Sequence, residues 1–178
     1  IGNSILSFDG TLFYTYFTNR ILGDFDVSPN EIIYSNVDGN AISKGFSLST
    51  KWSFYNGLKL KLAGTIMDNT YEENGETFRP ILTEQYNANW SASYVIKKHK
   101  IKIDYTGNLY GPMRLPLLGV LDDRPEYSPI WSLQNIQITK EFKAFECFGG
   151  IKNLLNYTPP ANSISRAHDP FDKLVQFD

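Results

Sequence analysis

The sequence predicts an all-β fold, an antiparallel up-and-down meander of about seven strands that is part of a transmembrane β-barrel. Three observations predict it. All nine prolines fall in four long polar connections, at Pro29, at Pro80, from Pro112 to Pro129 and from Pro159 to Pro170. Proline cannot donate to a strand ladder, so its confinement leaves proline-free segments of about 10 to 13 residues, the length of a membrane-spanning strand. Within those segments apolar and polar residues alternate with period two. Long connections also alternate with tight ones, as in an up-and-down membrane barrel.

The elements follow in order. From Ile5 to Arg20 one parity holds Leu6, Phe8, Gly10, Leu12, Tyr14 and Tyr16, and the other Ser7, Asp9, Thr11, Phe13, Thr15 and Phe17. After Asp38-Gly39, Phe46, Leu48, Thr50 and Trp52 share one face while Ser47, Ser49 and Lys51 share the other. Asn56-Gly57 then gives the strongest short hairpin signal in the chain, because both residues tolerate positive φ. Leu58, Leu60, Leu62, Gly64 and Ile66 alternate next with Lys59, Lys61, Ala63, Thr65 and Met67. A polar link from Asp68 to Leu82 precedes a strand in which Tyr86, Ala88, Trp90, Ala92, Tyr94 and Ile96 alternate with Gln85, Asn87, Asn89, Ser91 and Ser93. Lys97-Lys98-His99-Lys100 makes a second tight turn into Ile101, Ile103, Tyr105, Gly107 and Leu109. A link from Gly111 to Pro129 leads to segments 130–142 and 145–153, joined near Lys143. Trp131 and Leu133 differ in parity from Ile136 and Ile138, which predicts a bulge near the start of that strand. Meander geometry places every long link at one end and every tight turn at the other.

A soluble sheet with one covered face alternates in the same way. Strand length favours a bilayer, since soluble strands cluster near about 5 to 6 residues. So does the polar parity, where Ser47, Ser49, Lys51, Lys59, Lys61, Gln85, Asn87, Asn89, Lys102 and Asp104 suit a water-filled or plug-filled lumen better than a packed core. Aromatics gather at both ends, Trp52, Tyr55, Tyr94, Phe142 and Phe145 near the tight turns and Tyr14, Tyr16, Tyr86 and Trp131 near the long links, as interfacial girdles do.

Composition narrows the function classes. With 17 basic and 19 acidic residues the formal charge is −2, so no broad basic field attracts nucleic acid. Cys147 is the only cysteine, which excludes an internal disulfide and a cysteine-based zinc knuckle. No apolar run approaches the roughly 18 residues of a spanning helix. The start at Ile1-Gly2-Asn3 resembles neither an initiator nor a signal peptide, and the chain is expected to be part of something longer.

Three segments resemble the C-terminal barrel portion of TonB-dependent outer-membrane receptors, especially those of Bacteroidetes-type bacteria. Leu12-Phe13-Tyr14-Thr15-Tyr16-Phe17-Thr18-Asn19-Arg20-Ile21 is similar to an aromatic-rich strand end of that family. Tyr34-Ser35-Asn36 through Lys44-Gly45-Phe46-Ser47-Leu48 resembles its descent into a short turn, departing where the family often has glutamate. Gly149-Gly150-Ile151-Lys152-Asn153-Leu154-Leu155-Asn156 looks like the signature of its penultimate strand. The resemblance spans essentially all 178 residues but about a third of a family barrel, which has twenty-two strands and an N-terminal plug. It implies that plug, TonB box, earlier strands and the closing strand lie outside this chain, which stops at Val175-Gln176-Phe177-Asp178.

The resemblance further implies a bacterial outer-membrane location and active import of a scarce small-molecule nutrient, a metal chelate or cobalamin being favoured. The partners implied are outer-membrane lipid, the remaining strands and plug, and the TonB complex; no enzymatic activity and no cofactor are implied. The long links would face the exterior, with Tyr71, Phe78, Arg79, Arg114, Arg124, Tyr127 and His168 as candidate ligand contacts. The acidic group Asp68, Glu72, Glu73 and Glu76 lacks the spacing of a calcium loop and reads as solvated. His99 and His168 have no triad or paired carboxylates around them, so catalysis has no centre. The alternatives are a soluble all-β binding module, lectin-like or lipocalin-like, and a passive porin-type barrel without plug or energy coupling.

Overall fold

Segments of matching period pair with the next such segment along the chain, and a single register results. The computed structural model describes residues 4–28, 31–36, 39–73, 75–115 and 125–158. Its strands are β1 (Ser4–Phe17), β2 (Ile21–Ser28), β3 (Glu31–Asn36), β4 (Ala41–Phe54), β5 (Leu58–Glu73), β6 (Glu76–Phe78), β7 (Tyr86–Ile96), β8 (Ile101–Tyr110), β9 (Trp131–Glu141) and β10 (Glu146–Ile151). Seven of them make one antiparallel sheet in the order β1-β4-β5-β7-β8-β9-β10, with β6 added beside the end of β5. β2 and β3 form a separate hairpin within the first long link. The all-β meander is as expected. The described strands form an open sheet, with β1 and β10 as its edges.

The register keeps each parity on one face from strand to strand. Leu6, Trp52, Leu60, Ala92, Tyr105, Ile136 and Ile151 are successive opposite partners from β1 to β10. One position along, Ser7, Lys51, Lys61, Ser91, Thr106 and Asn135 form the corresponding row on the other face. Opposite residues in an antiparallel pair point the same way, so the two parities of the sequence become an apolar face and a polar face.

Among the described residues neither face is covered by another layer. Phe8 is 67% exposed, Leu12 83% and Ile66 68%, and among the described residues no large side chain is fully buried. Among the described residues the buried apolar ones are Ala41, Met113 and Leu115, at the long-link end.

The tight connections lie together at the opposite end. At the first, Gly57 N–H donates to Phe54 O at 3.1 Å, and Gly57, not Asn56, has positive φ (93°). The loop is therefore three residues, Tyr55 to Gly57, with a left-handed glycine closing it. Asn56 instead accepts the Leu58 N–H at 3.1 Å through its side chain. At the second, a 3-10 turn over Lys97–His99 ends on Lys100 in the left-handed region. At the third, Phe142 N–H donates to Phe145 O at 2.9 Å and the two rings stack 4.7 Å apart.

Three details differ from the sequence reading. The pairing of β5 with β4 continues to Tyr71 opposite Ala41, so the strand runs on to Glu73 and the polar link is shorter than expected. The first long link contains the β2–β3 hairpin. The bulge in β9 is absent: β8 and β9 pair without a shift from Tyr110 opposite Trp131 to Ile101 opposite Lys140. The unshifted register puts Trp131 and Leu133 on the polar face with Asn135 and Gln137, so Trp131 does not belong with Tyr14, Tyr16 and Tyr86 on the apolar face.

Candidate functional site at the long-link end

The second and third long links are held to each other and to the sheet. Gly75, with φ 80°, turns β5 into β6, which sets Phe78 opposite Tyr71 with ring centroids 5.7 Å apart. Arg79, the next residue, points the other way. Its Nη2 lies 3.0 Å from Asp68 Oδ1, and Asp68 Oδ2 is 3.3 Å from Lys44 Nζ. Lys44 is the cross-strand partner of Asp68, so this carboxylate sits between two cations at the polar rim of the apolar face.

Arg114 arrives from the third link through bridges to Ile81 and Tyr127. Backbone bonds from Leu82 N to Arg114 O, Leu115 N to Glu126 O and Ser128 N to Met113 O, each 2.8 Å, tie the strips together. Ser128 Oγ accepts the Met113 N–H at 3.0 Å. The Arg114 guanidinium lies 5.8 Å from the Phe78 ring centroid, donates from Nη1 to Arg79 O at 3.4 Å, and places Nε 3.6 Å from Glu126. Met113 and Leu115, 8% and 4% exposed, are the small core beneath.

Five of the sequence-predicted site residues, Tyr71, Phe78, Arg79, Arg114 and Tyr127, are therefore brought into one cluster. Arg124 and His168 lie outside the described residues. Within the cluster each guanidinium already has a carboxylate, Asp68 for Arg79 and Glu126 for Arg114, so these side chains order the links as well as line them. Among the described residues no group of three or more His, Cys, Asp or Glu side chains is placed to hold a metal.

A second group was not singled out from sequence. On the polar face of the same end, Tyr110 and Trp131 stack at 4.0 Å, and Tyr157 lies parallel to Trp131 within 3° at 6.0 Å. Tyr157 is fixed by the segment that follows β10. Asn153 takes φ 51°; its side chain donates to Tyr157 O at 2.8 Å and accepts the Tyr157 N–H at 3.0 Å. Asn153 N–H donates to Asn135 Oδ1 at 3.0 Å, and Leu154 N–H to Gln134 O at 2.7 Å. The Tyr157 hydroxyl is buried without a hydrogen-bond partner. The parity of Trp131, read as a bulge, was the signal for this aromatic row. The long-link end thus carries an aromatic row, Tyr110, Trp131 and Tyr157, and two guanidinium groups each paired with a carboxylate.

No protein-family model, curated protein or solved structure matches this chain.

Proposed function

We propose that this chain is the C-terminal segment of a large transmembrane β-barrel, a TonB-coupled outer-membrane receptor that imports a scarce small-molecule nutrient. The observation that carries the reading is the unbroken register, which leaves one face of a seven-strand sheet apolar and exposed while the other stays polar. Lipid satisfies the first face, an aqueous or plug-filled lumen the second, and strands from the rest of the barrel the two edges, since hydrocarbon tolerates no unpaired ladder.

Dimensions support it. Tyr16 is opposite Ile42, and Trp52 follows ten residues along β4. At about 3.4 Å per residue that is ~34 Å of strand, or ~26 Å across a membrane at a tilt of about 40°, matching the roughly 25 Å apolar band of outer-membrane barrels. Uptake in this reading needs no covalent chemistry: the ligand binds at the long-link end, against the Tyr110, Trp131 and Tyr157 row, and energy delivered through TonB moves the plug. A metal chelate or cobalamin is favoured by the resemblance in sequence alone.

The test is fractionation of source cells with protease shaving of intact cells. Recovery in the outer membrane within a longer polypeptide, with peptides from 68–83 and 111–129 released, is the expected result. Recovery as a short soluble chain would overturn it in favour of an all-β binding module, and a full-length sequence without a plug would leave a passive porin.

A further inference from the structure

We propose that the tight-turn end of β7 to β10 holds an anionic phospholipid, its phosphate against Lys140 and its acyl chain along the apolar face of β9 and β10. Two tight turns are fastened together there. Glu141 N–H donates to Lys100 O at 3.0 Å, Lys100 Nζ lies 3.7 Å from Glu141 Oε1, and the Lys140 ammonium donates to His99 O. The turns and the strand ends beside them, residues 97–100 and 140–146, carry five lysines and two glutamates, a net of three positive charges on a chain whose formal charge is −2. Lys97, Lys98, Lys100 and Lys143 are exposed.

Lys140 is placed unlike the others. It stands on the apolar face, opposite Ile101 and Cys147. Among the described residues of the large sheet the apolar rows hold one other lysine, Lys44, and the sheet supplies it with Asp68 directly opposite at 3.3 Å. Among the described residues no carboxylate is within ion-pairing distance of Lys140. Its ammonium meets a carbonyl and lies 5.7 Å from the Phe142 ring centroid. Glu141 and Glu146, the two glutamates of the cluster, are cross-strand partners in the polar parity, so their charge belongs to the other face. A lysine at the end of a lipid-facing row extends its ammonium to headgroup depth. The anion that approaches from that side is the phosphate of a lipid.

Two features select a whole anionic lipid over a free anion or a zwitterionic lipid. Beside Lys140 the apolar face of β9 and β10 holds a depression of about 470 Å³ lined by Ile136, Ile138, Cys147, Gly149 and Ile151, with Lys140 at one end. Gly149 leaves it open, since a Cβ there meets nothing within 4 Å. A free anion would meet the ammonium and leave this depression empty, whereas a phospholipid fills both. The surplus of lysines favours a headgroup of net negative charge, because a choline or ethanolamine group would bring a further cation among them. The inference rests on the barrel reading for the placement of this face against lipid.

The experiment is photolabelling of the full-length polypeptide in lipid nanodiscs, with phosphatidylglycerol or phosphatidylcholine carrying a photoreactive group on the acyl chain, read by mass spectrometry. Expected are several-fold heavier labelling of residues 136–151 by phosphatidylglycerol than by phosphatidylcholine and equal labelling of residues 6–12 by the two. The preference should vanish in Lys140→Gln and persist in Lys140→Arg. Equal labelling of residues 136–151, or a preference that survives in Lys140→Gln, overturns the proposal. Loss of the preference in inorganic phosphate, but not in chloride of equal ionic strength, overturns it in favour of a small-anion site. Cross-linking of Lys140 to another polypeptide in native membranes, in place of lipid labelling, overturns it in favour of a protein contact. Labelling of the whole apolar face by both lipids without preference would sink this inference and leave the receptor reading standing; a soluble protein that binds phosphatidylglycerol vesicles through Lys140 would do the reverse.

Discussion

The Trp90 indole covers Gly107: a Cβ built on that glycine would stand 2.2 Å from the ring. The two are cross-strand partners of β7 and β8 on the apolar face. An exposed glycine leaves a strand without a side chain to pack, and a neighbouring aromatic that folds over it repairs the gap. The polar face uses the same device. A Cβ on Gly45 would lie 2.5 Å from the Phe13 ring, so Phe13 has a place on the polar face, which carries Tyr110 and Trp131 as well.

Gly107→Val is expected to push Trp90 off its site and destabilise the sheet by about 1–3 kcal/mol, the usual cost of forcing bulk into an occupied space. Gly149→Ala is the control, because a Cβ there meets nothing within 4 Å; its effect should stay within about 0.5 kcal/mol. Denaturant unfolding with tryptophan emission reads both, and equal effects would refute the packing account.

The three tryptophans, Trp52, Trp90 and Trp131, report the faces separately. In single-tryptophan variants placed in lipid bilayers, brominated acyl chains should quench Trp52 and Trp90, while Trp131 responds instead to aqueous quenchers. Quenching of Trp131 by brominated lipid to the level of Trp90 would contradict the face assignment.

Asn153→Ala should cost about 2–3 kcal/mol, since it removes side-chain bonds in both directions and places alanine in the left-handed region. Asn153→Gly keeps the backbone conformation and should lose only part of that. The measurement is the unfolding midpoint together with the near-ultraviolet circular dichroism of the Trp131 and Tyr157 rings.

The Lys44–Asp68 pair should contribute less than about 1 kcal/mol in a double-mutant cycle, because the side chains are 52% and 39% exposed and solvent screens them. A coupling energy of several kcal/mol would mean that this rim is far drier than its exposure indicates.

At Gly57, φ 93° makes Gly57→Ala costly by about 1 kcal/mol. The neighbouring Asn56→Ala should cost less, through the lost bond to Leu58 N–H. Reversal of that order, in equilibrium unfolding, would show that the turn is not closed by the left-handed glycine.

Much of the fold was legible because alternation is a local signal. Leu58 to Met67 declares both faces of its strand without reference to any other segment, and proline and asparagine-glycine mark where strands stop. What the sequence hid was long-range. Nothing local says that Glu72 and Glu73 still belong to a strand, since their partner β6 is what keeps them extended. Trp131 looked like a register fault because an aromatic on a polar face was not expected, and only Tyr110 and Tyr157, far apart in sequence, explain it. The candidate site was legible in location, at the long-link end, but the ion pairs that engage Arg79 and Arg114 depend on residues from different links.

Neighbours in the large sheet are successive long strands of the chain, and the excursions through β2–β3 and β6 return to the edge they left. Such a sheet can be assembled in the order in which it is synthesised, each strand needing only the one before it as a template, and low sequence separation of partners favours rapid pairing. The long links can therefore lengthen, shrink or be exchanged between related chains without disturbing the order of assembly, whereas a residue added to one of the tight turns would have to be absorbed within the single hairpin it closes.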